Sequence, residues 1–183
     1  MKIIIALGNP GEKYKKTRHN AGWLFLDLML GNVSWQINKR FNALIHENNG
    51  IIFVKPLTFM NNSGYSAYKI LNYYGLLTKR LGGLLNKKDQ DLNNVLLVIQ
   101  DELDLNFGQT KLSTDSQSAG HKGIASIIQQ LKTKRFQRLR IGIKNENLKN
   151  KIPAEKFVLQ NFSTEELEGF KKIVENNKQL ITS

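Results

Sequence analysis

Cysteine is absent from the 183-residue chain, which removes disulfides, thiolate nucleophiles and cysteine-based zinc sites together. No apolar run approaches the length of a membrane span. The N-terminus passes from Met1-Lys2 straight into a short apolar run, Ile3 to Leu7, whereas a secretory leader needs a longer one and a small-residue cleavage site. A cytoplasmic protein is the expectation. Nucleotide and nucleophile motifs are missing too. Leu7-Gly8-Asn9-Pro10-Gly11 begins like a dinucleotide-binding loop, but G-x-G-x-x-G is not completed and Pro10 sits inside the turn. Neither a P-loop nor a G-x-S-x-G elbow occurs. His19, His46 and His121 lie far apart in sequence without metal-ligand spacing, so neither metal nor cofactor is expected. His46 reads as structural.

What is abundant is positive charge. Twenty-seven Lys and Arg against fifteen Asp and Glu leave +12, an excess that suits a polyanionic partner, nucleic acid or an acidic membrane surface. A Lys- and Asn-rich composition from a biased genome is the competing reading. Apolar residues at 40% and charged residues at 23% match an ordinary globular protein. With no repeat and no low-complexity linker, one domain over 1–183 is expected.

Residues 2–7 read as a buried strand and 21–30 as a helix ended by Gly31. Residues 33–47 alternate as one or two strands, and Asn48-Asn49-Gly50 signals a turn into a strand over 51–54. Residues 63–74 read as a helix, 75–94 as a long, basic, exposed connection, and 95–99 as the clearest buried strand. A helix over 121–132, an alternating strand over 138–143 and a capping box at Ser163-Thr164-Glu165-Glu166 before a final helix of about 15 residues follow. Alternating strands and helices predict an α/β fold: a mixed, mostly parallel twisted sheet with helices on both faces.

Ligands bind such sheets in the crevice beyond the carboxyl ends of the strands. The segments following strands 2–7, 51–54 and 95–99 carry Asn9, Tyr14, Arg18, His19 and Asn20, then Lys55 to Gly64, then Gln100 to Asp104. If the strands are parallel neighbours, a histidine, a carboxylate and several amides meet at one rim. That set fits general-base activation of water, with the carboxylate fixing the imidazole tautomer and the amides polarising a carbonyl. A histidine at a loop–helix junction also serves as a surface or capping residue, and an aspartate after a strand also holds turns.

Three blocks resemble the bacterial peptidyl-tRNA hydrolase family across almost the whole chain. They are Gly8-Asn9-Pro10-Gly11 with Tyr14 and Thr17-Arg18-His19-Asn20; Lys55-Pro56-Leu57-Thr58-Phe59-Met60-Asn61-Asn62-Ser63-Gly64; and Asp101-Glu102-Leu103-Asp104-Leu105 with Gly108, Gly120-His121-Lys122-Gly123 and Arg138 to Ile143. The resemblance implies a metal-independent, monomeric hydrolase. Its substrate would be the ester joining peptide, or an N-blocked aminoacyl group, to tRNA, and its product free tRNA returned to translation. His19 then matches the general base and Asp101 the carboxylate orienting it. Asn9, Met60 and Asn61 match positions around the water and peptide main chain, and Tyr14 the aromatic dividing the peptide side from the tRNA side. Asn20, Lys111 and Arg140 match contacts to the acceptor end of tRNA. Lys122 stands where the family pattern has a substrate-binding asparagine, and lysine offers donors but no acceptor. Some relatives bind RNA without hydrolase activity; retention of His19, Asp101, Asn9 and Asn61 argues for the enzyme.

Overall fold

The computed structural model describes residues 1–80, 85–149 and 152–182. Its strands are β1 (Lys2–Ala6), β2 (Gln36–Asn38), β3 (Ala43–Asn48), β4 (Ile51–Pro56), β5 (Lys79–Arg80), β6 (Leu85–Asn86), β7 (Leu96–Asn106), β8 (Thr110–Ser113) and β9 (Gln137–Lys144). Its helices are α1 (Ala21–Leu30), α2 (Ser63–Tyr73), α3 (Lys122–Leu131), α4 (Glu146–Lys149), α5 (Ala154–Phe157) and α6 (Thr164–Thr182).

Ile3, Ile4 and Ile5 have no accessible surface on either face, the signature of a central parallel strand. β1 accordingly pairs in parallel with β4 on one side and β7 on the other, and β7 pairs in parallel with β9. Antiparallel β3, β2 and β8 complete a seven-stranded sheet in the order β2-β3-β4-β1-β7-β9-β8. The β3–β4 hairpin turns at Asn49 and Gly50, both at positive φ (50° and 74°), as the favoured two-residue hairpin turn requires.

Alternation splits the sheet's side chains between two cores. Ile3, Ile5, Val54 and Val98 face α2 and α3, where Ala67, Ile70, Ile124 and Ile127 cover them. Ile4, Ala6, Ile99 and Ile141 face α1 and α6, against Phe25, Leu26, Phe170 and Val174. Each fully buried Ile, Leu, Val or Phe contributes about 1.5–3 kcal/mol relative to exposure. α2 and α3 approach closely at Gly64, where a Cβ would stand 2.1 Å from the Ser126 carbonyl oxygen. The capping box forms as written, with Ser163 N–H donating to Glu166 Oε2 at 2.8 Å and Glu166 N–H to Ser163 Oγ at 3.2 Å. Among the described residues no helix is long and apolar enough to cross a membrane.

Several expectations need correction. The segment 75–94 is not a bare connection. β5 and β6 pair antiparallel within it, and Leu77 and Leu92 are buried in the first core; residues 81–84 lie outside the described residues. The strand expected over 95–99 runs on to Asn106, because β9 continues the ladder past Glu102 with a bulge before Asn106. Asp101 thus stands on the strand, not on a loop after it. β8, α4 and α5 carried no expectation, and α6 spans 19 residues where about 15 were expected.

Candidate active site

The polar segments after β1 and β4 converge with Asp101 of β7 on a cleft of about 780 Å³, lined by Asn9, Tyr14, His19, Met60, Asn61 and Asp101, with Lys122 also in its wall. His19 lies in a 3-10 turn, Arg18–Asn20, between β1 and α1. Backbone bonds pin that turn from behind: Arg18 N–H donates to the Gln160 carbonyl at 2.9 Å, and His19 N–H to that of Val158 at 2.8 Å. Arg18 points inward. Its guanidinium gives paired hydrogen bonds to Glu166 at 2.9 and 2.8 Å and lies between the rings of Phe157 and Phe162, 4.6 and 5.0 Å from their centroids. One of the loop's positive charges therefore braces the fold, while Lys13, Lys15 and Lys16 remain exposed.

Asn20 is also turned inward. It is fully buried, accepts the Asn9 backbone N–H at 2.9 Å and donates to the Asn9 carbonyl at 3.0 Å. Its geometry fixes the Asn9 loop. Asn9 Oδ1 accepts the Met60 N–H at 2.8 Å, which joins the first polar segment to the second. That bond occupies the amide oxygen and leaves the Asn9 NH₂ as a donor on the cleft wall.

At the cleft floor, His19 Nδ1 lies 2.9 Å from Asp101 Oδ1 and 3.1 Å from Oδ2. His121, which carried no expected role, meets the same carboxylate: its Nε2 is 2.9 Å from Asp101 Oδ1. The tautomer of His121 follows from its other nitrogen. Nδ1 accepts the backbone N–H groups of Gly123 (3.1 Å) and Ile124 (3.3 Å) as the N-cap of α3, so it holds a lone pair and the proton sits on Nε2. Asp101 thus accepts a donor from each ring. Spacing in sequence hid this partner; the legible signal was a side chain with a free lone pair at the N-cap of a periodic helix.

Burial alone raises the pKa of a carboxyl, but electrostatic attraction to His19 and His121 and the hydrogen bonds both rings donate override it and hold Asp101 far below the usual carboxylate range. For His19, burial disfavours the imidazolium, yet the Asp101 charge and hydrogen bond outweigh burial and raise its pKa above the ordinary value, with Lys122 pulling the other way. His19, Asp101 and His121 present donor atoms within 4.8 Å of one another. Those atoms are committed to each other and to the α3 cap, so a metal would have to displace both histidines from Asp101. His19 Nε2 has no hydrogen-bond partner among the described residues, and His19 lines the cleft.

The walls are partly apolar. Tyr14 meets Phe59 edge-on at 6.3 Å, and Phe59 and Leu159 are exposed at the rim. Met60 is buried and Asn61 exposed. Lys122 opens α3, and its Nζ lies 3.2 Å from Glu155 on α5, across the mouth. Away from the cleft, Lys111 on β8 stands directly opposite Arg140 on β9, and Arg140 Nε donates to Glu102 at 2.7 Å. Neighbouring Arg138 is buried and donates to the carbonyls of Ser116 and Gln117, so it anchors the 114–120 loop. His46 packs on Phe53, in keeping with a structural role.

Fold and site together define an α/β protein with an accessible imidazole held by a buried carboxylate at the carboxyl rim of its sheet, the arrangement of a general-base hydrolase. The sequence profile of the peptidyl-tRNA hydrolase family matches residues 3–183, and the chain belongs to that family. It is 42% identical over 186 aligned positions to a peptidyl-tRNA hydrolase of Mycoplasma capricolum, covering 99% of this chain and 91% of the relative. To one of Latilactobacillus sakei it is 38% identical, over 79% of this chain and 76% of the relative. The crystal structure of peptidyl-tRNA hydrolase from Acinetobacter baumannii superposes with a TM-score of 0.78 at 26% identity, covering 100% of this chain and 87% of that one.

Proposed function

We propose that this chain, acting as a monomer, hydrolyses the ester between a peptide, or an N-blocked aminoacyl group, and the 3′ ribose of tRNA, returning free tRNA to translation. One observation carries the reading: His19 Nδ1 at 2.9 Å from Asp101, with Nε2 free toward the cleft. Nε2 takes a proton from water, and the water oxygen attacks the ester carbonyl. Asp101 supports the imidazolium that forms, and the imidazolium then gives the proton to the departing ribose oxygen, so the proton count closes. The Asn9 NH₂ donates to the carbonyl oxygen as it gains charge. An ester has a good leaving group, so one base and amide donors suffice without a covalent intermediate.

Met60 and Asn61 line the acyl side, Tyr14 divides it from the tRNA side, and Lys122 brings a cation where a neutral amide is the family pattern. Phe59 and Leu159 shield the rim from water. Lys111, with Arg140 braced by Glu102, presents cations to a phosphate of the acceptor stem, and phosphate contacts supply most nucleic-acid affinity. The test is direct: purified peptidyl-tRNA is incubated with the protein and free tRNA is followed. Release with the free peptide acid as co-product is expected. Tight tRNA binding without release would make the chain a non-hydrolytic RNA binder.

A further inference from the structure

No Asp or Glu lies between Glu47 and Asp89, a span that includes all of α2. The inner side of α2 is explained by the core, with Ala67, Ile70 and Leu71 fully buried. Its outer side is not. Tyr65 and Tyr73 are 45% and 54% exposed, and together with Lys69 they follow one another at i, i+4 and i+8, on one stripe of the helix. Each ring carries a cation over one face: Lys69 Nζ lies 5.2 Å from the Tyr65 centroid, and the Arg40 guanidinium 4.9 Å from that of Tyr73. A third pair sits beside them, with Lys79 Nζ 5.5 Å from Tyr68. Catalysis does not use this stripe, and although Tyr73 meets the core residue Phe41 edge-on at 5.3 Å, more than half of it stays exposed. The phosphate-facing pair Lys111 and Arg140 stands at the opposite edge of the sheet, since Arg40 precedes β3 while β8 and β9 close the other end.

Aromatic faces interleaved with cations on a helix that carries no acidic residue match what unpaired nucleotides need: π-faces for the bases and positive charge for the phosphates. Tyrosine is also a mediocre helix former, so helix propensity gives no reason to prefer it on a solvated stripe. Tyr65 and Tyr73 are eight residues apart, about 12 Å at the helical rise, a span that several consecutive nucleotides cover. We propose that the outer face of α2, with Arg40, is a second RNA-binding surface that takes a single-stranded segment by stacking bases on Tyr65 and Tyr73.

The proposal is independent of the hydrolytic reading and is tested by binding alone. Fluorescence anisotropy is measured with a short labelled single-stranded oligoribonucleotide, the same sequence as a duplex, and heparin as a polyanion without bases. The Tyr65→Ser/Tyr73→Ser variant should bind the single strand at least about tenfold more weakly, with an unchanged salt slope. Tyr65→Phe/Tyr73→Phe should retain binding, which separates stacking from loss of fold. Lys69→Gln/Arg40→Gln should weaken binding and flatten its salt dependence. Equal affinity of the serine variant for the single strand, or parity among single strand, duplex and heparin in the wild type, overturns the assignment. So does concentration-dependent self-association of the wild type that the serine variant abolishes, because that gives the face to a second copy of the chain.

Discussion

Replacing Asp101 by asparagine keeps the side chain's shape and one carbonyl oxygen but removes its charge, and the consequence for His19 has a definite sign. In the native site the Asp101 charge and hydrogen bond are what raise the pKa of His19, while burial and Lys122 lower it. With the charge gone, burial and Lys122 are opposed only by a neutral hydrogen bond to the amide oxygen. The imidazole should then titrate below its ordinary value near ~6.5 instead of above it. A base must be neutral to act, so the acid limb of kcat/KM on peptidyl-tRNA should move to lower pH in Asp101→Asn. The rate at the plateau should fall as well, because a weaker base abstracts the proton and the imidazolium loses its counter-charge. A loss of about 10–10³-fold is expected, smaller than for removal of the imidazole itself, equivalent to roughly 1.4–4 kcal/mol of transition-state stabilisation. The amide oxygen can still accept from His121 Nε2, and the α3 cap at Gly123 and Ile124 does not involve Asp101, so the fold should persist by circular dichroism. An acid limb that stays in place or moves upward, or an unchanged plateau, refutes this account of the dyad.

Lys111→Ala is the cleaner probe of the phosphate contact, because Arg140→Ala would also strand the buried Glu102. It should raise KM on full-length substrate with little change in kcat and flatten the salt dependence by about one contact; equal loss on a short ester lacking the tRNA body contradicts it. Gly64→Ala drives a Cβ into the Ser126 carbonyl and should cost roughly 1–3 kcal/mol, read as a lower melting temperature; an unaltered melting curve shows that α2 and α3 separate freely. Activity should survive exhaustive chelation when magnesium is controlled for tRNA structure, and loss restored by one defined metal would reassign His19, Asp101 and His121 as ligands.

Much of this was legible in the sequence because it is local. The Ile3-Ile4-Ile5 run, the Asn49-Gly50 turn and the Ser163–Glu166 capping box each encode their structure within a few residues, and all form. Convergence of Asn9, Asn61 and Asp101 followed from one topological rule applied to parallel strands. What stayed hidden depends on partners distant in sequence. Asp101 and Glu102 resemble loop residues because acids are rare in strands, yet His19 and His121 hydrogen-bond Asp101 there and Arg140 pairs with Glu102. His121 lies on another element, and its role needs both its own Nδ1 cap and the far side of the ring. Arg18 and Asn20 read as members of the cleft's polar cluster, and Asn20 as a tRNA contact by resemblance, since nothing nearby announces Glu166 or the Asn9 backbone as their partners. β8 is only four residues long, and its ladder with β9 alone defines it.

The central claim is that His19 is the base that activates water. Turnover of purified peptidyl-tRNA by His19→Ala, measured beside its affinity for the same tRNA, tests it most directly. The account predicts turnover lower by on the order of 10²–10⁴-fold with tRNA affinity nearly unchanged, because His19 lines the cleft whereas Lys111 and Arg140, the proposed phosphate contacts, do not. Near-wild-type turnover, or a loss explained entirely by weaker tRNA binding, would contradict it.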